Sequence, residues 1–190
     1  MYKKIIIIIF LFILNGCASR HQLSEESIAR IDTTKGCCNK LSEVLFTKVK
    51  IGEEIDIKFE ETSPAYIFKS GKSYFSNLEL PNSKAKRILS FSSSISSGYL
   101  PSATIVVPDI LLLNEDKKKI KTFSNIPLSR KEHFFLGSIY TGRVTLPDAA
   151  KYAVIHPSRN YSRNIFAPSD SGVIWDIPIS LVGDTTVVIH

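Results

Sequence analysis

Gly71-Lys72-Ser73, inside "FKSGKSYFSNLELP" (68–81), has the spelling of a phosphate-cradling loop. Such a loop needs another glycine five residues ahead of the triplet's own, and a helix behind it whose N-terminus meets the phosphate. Position 66 is Tyr66, and an alternating strand pattern follows Ser73. Gly71 and Lys72 therefore read as a tight turn between two strands, and no nucleotide is expected. A serine nucleophile needs a sharp elbow, and the chain has no Gly-x-Ser-x-Gly; Gly137-Ser138 runs on as strand. His133, beside Glu132, and His156, ahead of Pro157, read as packed or solvated rather than catalytic. Asp109, Asp148 and Asp170 sit in turn-like contexts. A glycosidase pair cannot be picked from 18 acids without a fold.

Cys37 and Cys38 are adjacent. Their Cα atoms must lie about 3.8 Å apart across a trans peptide, short of the usual disulfide range of about 4.4–6.8 Å. A strained vicinal disulfide, two thiols at a packing contact, a bridge to a partner chain and half of a metal site all fit that spelling. Zinc would need two further ligands, and His21, His133, His156 and His190 are scattered, so no metal and no cofactor are expected. Exposed rings are another route to binding, because sugars stack on them. Among Tyr66, Tyr74, Phe75, Tyr99, Tyr140, Tyr152, Tyr161 and Trp175, most should be core. Trp175, Tyr161 and Tyr99 are the candidate stacking residues, the first two lying in an irregular stretch. Arg159 and Arg163 of that stretch suit an acidic surface, or simply a solvated loop.

The elements that must hold these residues read mostly as strands. "EIDIKF" (54–59) alternates, with Ile55, Ile57 and Phe59 on one face. "TSP" (62–64) turns the chain. "AYIFK" (65–69), "SYFSNLEL" (73–80), "KRILSFSS" (86–93) and "KYAVIH" (151–156) follow as short strands. "ATIVVPDILLLNED" (103–116) is apolar on both sides and reads as a fully buried strand, with Pro108 at a bulge or edge. "NEDKKK" (114–119) is a charged turn. "HFFLGSIYTGRVTL" (133–146) reads as one long strand bending at Gly137 and Gly142. Before these, Ser24–Ile31 suggests a short helix capped by Ser24, and Leu41, Val44 and Leu45 stand at helical spacing. Regular short strands with turns between them predict an all-β fold. It is expected to be a single β-sandwich of antiparallel strands over 37–158, with a short N-terminal helix and an irregular C-terminal extension over 159–190.

The first residues, "MYKKIIIIIFLFILNGC", place Lys3 and Lys4 ahead of ten apolar residues, Ile5 to Leu14. Ten are too few for a bilayer span, which takes about 20, but they fit a secretory signal. Leu14, Gly16 and Cys17 resemble a bacterial lipobox, so 1–16 is read as a lipoprotein signal, Cys17 as the lipidated residue and 17–36 as a polar tether. Two or more acyl chains hold a protein stably where one does not. Ala18, not Asp, follows the cysteine, which resembles lipoproteins of the outer membrane in a Gram-negative envelope, facing the periplasm. Without residues 1–16 the chain keeps 174 of its 190 residues, and its charge falls from +6 to +4 as Lys3 and Lys4 leave. That is enough for one core and too mild for a nucleic-acid binder.

Four stretches occur in a suggestive order: "CCNKLSEVLF", "SPAYIFKSGKSYFSNLELP", "TIVVPDILLLNED" and "FFLGSIYTGRVTLPDAAKYAVIHPS". Over roughly 37–158 this order resembles the maltose operon periplasmic protein family. The family's Pro-x-(apolar)₄-Asp strand maps onto Pro108–Asn114, with Asn114 where Asp is usual. Its later strands map onto Phe135–Pro147 and Lys151–Ile155. The resemblance implies an exported all-β domain linked to carbohydrate (maltose or maltodextrin) uptake, and it carries over no catalytic residue. The expected function is a non-enzymatic, membrane-anchored accessory or binding module. Its partner would be a saccharide or an envelope protein. A structural or assembly lipoprotein and an envelope-polymer hydrolase are the alternatives.

Overall fold

The computed structural model describes residues 20–83, 85–133, 137–159, 165–169 and 171–190. Helix α1 (Arg20–Thr33) comes first, and a single 3-10 turn spans Leu41–Glu43. Fourteen strands follow: β1 (Thr47–Lys48), β2 (Glu54–Phe59), β3 (Ala65–Phe68), β4 (Gly71–Tyr74), β5 (Ser76–Glu79), β6 (Arg87–Ser94) and β7 (Pro108–Leu113). The rest are β8 (Lys119–Phe123), β9 (Ser129–His133), β10 (Gly137–Leu146), β11 (Tyr152–Pro157), β12 (Ile165–Pro168), β13 (Ile174–Ile177) and β14 (Gly183–Ile189). A second 3-10 turn, Leu100–Ser102, lies between β6 and β7.

Two five-stranded sheets pack face to face. One, here sheet A, runs β1-β5-β11-β7-β8; the other, sheet B, runs β2-β14-β6-β10-β9. Only β1 and β5 pair in parallel within them. Strand alternation explains the packing. Ile57 and Phe59 of β2, Leu89 and Phe91 of β6, Val144 and Leu146 of β10, and Val187 and Ile189 of β14 turn inward. They meet Leu78, Ile110, Leu112, Ala153 and Ile155 of sheet A in one buried cluster. Each large side chain so buried contributes about 1.5–3 kcal/mol. The fold is thus all-β with a short N-terminal helix, as the pattern predicts.

The outer face of sheet A is buried as well. Leu111, Leu113 and Val154 form a second cluster with Phe68 and Phe75, and Cys38, Leu41, Val44, Phe46, Tyr66 and Tyr152 pack over it. The segment 38–46 and the β3–β4 hairpin therefore roof this sheet. This is why all six residues of β7 are buried and why their sequence shows no alternation. Leu45, set by spacing with Leu41 and Val44, instead points to solvent at 90% exposure.

Several expectations are corrected. The stretch 159–190 is no irregular extension. It holds β12 and β13, which pair as a separate ribbon, and β14, which sits inside sheet B between β2 and β6. The helix expected within the tether is present but longer than Ser24–Ile31: α1 occupies most of 17–36 and buries Ile31 completely. Its first residue is Arg20, so Ser24 lies inside the helix rather than at its cap. The run 133–146 divides into the β9–β10 pair rather than forming one strand. Of 103–116 only Pro108–Leu113 is strand; Ile105 makes an isolated parallel bridge to Ile179. Pro108 opens β7, where its missing N–H costs no internal ladder bond. Gly142 is not a bend: a Cβ there would lie 2.6 Å from Phe91 Cε1, so the glycine makes room for that ring. β8, with Lys119 and Lys121, is a lysine-bearing edge strand that no apolar pattern announced.

Candidate functional site

Cys17 and Tyr161 lie outside the described residues. Cys37 and Cys38 are joined as a disulfide. Tyr99 is 69% exposed, just ahead of the 3-10 turn Leu100–Ser102. Trp175 on β13 is half-buried and packs on a small cluster with Leu100, Tyr140 and Ile177. The Tyr99 ring makes no ring contact among the described residues, so the two form no shared platform. No group of three or more metal-ligating side chains occurs among the described residues, and no described helix is long and apolar enough to cross a membrane.

Gly-Lys-Ser has a local, structural use. The β3–β4 hairpin turns at 69–70, and Gly71 pairs with Phe68 at φ +116°. Lys72 lies in β4, not in the turn. Its ammonium donates to the carbonyl of Asp32 at 3.2 Å and to that of Thr34, at the C-terminal end of α1. Those carbonyls lack helical partners and carry the negative end of the dipole, so a lysine suits them. Arg159 Nη1 spans the same joint, 3.0 Å from Asp32 Oδ1 and 2.8 Å from the Lys72 carbonyl. Ser138 likewise serves structure: its hydroxyl donates to Glu132, which Arg130 holds at 3.0 Å. Burial pushes the neighbouring Tyr140 phenol above its ordinary pKa. The side chain of His133 lies outside the described residues.

One concavity, about 620 Å³, lies beside the Cys37–Cys38 disulfide and is lined also by Tyr66 and Ile67. Two more lie against the sheets; the larger of these, about 660 Å³, is a trough on the outer face of sheet B. It exists because β6, β10 and β14 alternate: their inward residues are mostly apolar, while the outward ones along the trough include Ser90, Ser92, Thr141, Thr186 and Val188. Ser129 and Lys131 of β9 and Arg143 of β10 border it. Thr186 donates to Asp56 at 2.7 Å. The hydroxyls of Ser90, Ser92 and Ser129 make no hydrogen bond within the described residues, and Lys131 and Arg143 make no ion pair there. The trough thus presents unspent donors and acceptors on rigid strands, and no tyrosine or tryptophan lines it.

The smaller concavity, about 380 Å³, opens on sheet A where the roof ends. Asp109 and His156, read from sequence as a turn residue and a packed or solvated histidine, face each other across β7 and β11. They continue the outward rows of Leu111 and Val154, and they are only 4% and 2% exposed. The imidazole stacks on Phe68, ring centres 3.9 Å apart and planes 16° apart. Its Nδ1 lies 3.1 Å from the carbonyl of Pro157. A carbonyl only accepts, so Nδ1 carries the proton and Nε2 is bare in the neutral ring. Burial lowers the pKa from 6.5 to about 4, which the Pro157 hydrogen bond only partly opposes. Asp109 is itself partnered within the chain. The sequence signal was there: one aspartate in "PDILLL" and one histidine in "AVIHP" interrupt strands that are otherwise apolar. Their pairing needed the register. No known family model, characterised protein or solved structure matches the chain.

Proposed function

We propose that the chain is a non-enzymatic binding module, lipid-anchored at Cys17 and facing the periplasm from the outer membrane, and that it takes a saccharide on the trough of sheet B. The observation that carries this reading is the trough itself, with Ser90, Ser92 and Ser129 unspent beside Lys131 and Arg143. Such a surface meets the hydroxyl edges of a sugar, not its apolar face, because it offers hydrogen bonds while the one ring in its lining, Phe91, is buried in the core. The trough brings no acid and base together at a point where a bond would break, which supports binding over hydrolysis. The link to maltose or maltodextrin uptake rests on the resemblance of residues 37–158.

A thermal-shift titration of residues 18–190 with malto-oligosaccharides and cell-wall fragments tests it. A ligand bound only by the folded state adds about 2.7 kcal/mol at one hundred times its Kd. A dose-dependent rise in Tm that Arg143→Ala weakens is expected; no rise with any saccharide overturns the reading. A second reading, an assembly lipoprotein that docks a protein partner, is favoured by the ribbon β12–β13, which exposes Phe166, Val173 and Ile174. Cross-linking through that ribbon in intact cells, with no saccharide binding, would replace the first reading by the second.

A further inference from the structure

We propose that the cleft at Asp109 and His156 is a second, separate binding site, and that it takes a small hydroxylated anion such as a sugar acid or a hydroxy acid. A polar pair buried only to support the fold spends its hydrogen-bonding atoms on the fold. This cleft keeps one buried atom unspent, with exposed hydroxyls around it. The bare Nε2 of His156 has no partner among the described residues, nor do the hydroxyls of Ser70, Thr122 and Ser124. Lys69 and Lys119 stand exposed at the rim and form no ion pair there.

The chemistry of these groups selects the ligand. A bare imidazole nitrogen accepts, so it calls for a ligand O–H. The three hydroxyls and two ammonium groups donate, so they call for an oxyanion. The two ammonium groups of Lys69 and Lys119 outnumber the one carboxylate, Asp109, in the lining of the cleft. Phe68 covers one face of the imidazole, so a ligand meets the ring at its edge. The volume of about 380 Å³ lies at the small end of ligand sites. A hydroxyl and an anion on one small carbon skeleton answer all of these demands together, whereas a neutral sugar leaves the lysines unused.

The test is titration of the mature chain with glucuronate or malate, followed by calorimetry and by the imidazole nitrogen signals of His156 in NMR. Either anion should bind and move the Nε2 signal upfield as it becomes a hydrogen-bond acceptor. The two arms distinguish a sugar acid from a free hydroxy acid. Glucose, which lacks the charge, and acetate, which lacks the hydroxyl, should leave that signal in place at about 10 mM. The Lys69→Ala/Lys119→Ala double variant alters only exposed positions and should weaken binding at least about tenfold. Lys58→Ala, on the opposite sheet, should not. No movement of Nε2 with either anion at about 10 mM, equal movement with glucose, or undiminished binding by the double variant would each overturn the proposal.

Discussion

The outer face of sheet A and the outer face of sheet B are built from the same kind of strand and meet opposite fates. On sheet A the outward residues of β7 and β11 are Leu111, Leu113 and Val154, and the chain lays 38–46 and the β3–β4 hairpin over them. On sheet B the outward residues of β6, β10 and β14 are mainly serine and threonine, and no described segment covers them. A face is roofed when leaving it wet would cost apolar area, at about 25 cal/mol per Å². A face that is already polar stays open for another molecule. The polar pair Asp109–His156 marks the place where the roof of sheet A ends and the two regimes meet.

That contrast can be broken directly. Val154→Asp puts a charge beneath the roof, at a position with no exposure, and should cost about 3–5 kcal/mol or prevent folding. Ser90→Asp, its counterpart on sheet B, faces Arg143 across the strands and should change stability by less than about 1 kcal/mol. Urea unfolding of the two variants checks both.

Acid should reveal the roof's edge next. The unfolded chain protonates His156 below 6.5, and the folded chain does so only near 4. Between those values the unfolded state holds more protons, so stability falls as pH drops through this window and levels off below it. The loss attributable to His156 is about 3 kcal/mol. Comparing urea midpoints at pH 7 and pH 4 measures it, and His156→Gln should remove that component while leaving the contribution of the carboxylates.

Smaller effects sharpen the account of the N-terminal joint. Lys72→Ala removes the donor at the end of α1 and should cost about 1 kcal/mol. Hydrogen exchange should quicken in α1 before it does in the sheets. Reducing Cys37–Cys38 should matter least, below about 1 kcal/mol, because a bond between neighbours closes almost no loop. A denaturation curve with and without reductant shows it.

The sheets were legible where alternation was clean. Residues 54–59 and 87–94 repeat every two positions, and the apolar run of 110–113 forecasts burial on both sides. Legibility failed where pattern is weak or information is non-local. β8 spends its residues on edge lysines, and β12 and β13 are four residues each among prolines and serines. Lys72 and the end of α1 are 40 residues apart, and Asp109 meets His156 only through the register of β7 and β11. Rings are conspicuous in a sequence, whereas single serines on alternate positions look like solvent-facing filler until three strands lie side by side.

Docking of α1 bears on how far the protein can act. Only Ala18 and Ser19 stand between Cys17 and a helix of 14 residues, about 21 Å long at 1.5 Å per residue. The far end of that helix is fastened by Lys72 and Arg159. For a chain acylated at Cys17, the module is then mounted on a short stem rather than flown on a line. It sweeps a shallow layer next to its own leaflet, so whatever it binds must diffuse to that layer or be handed over there.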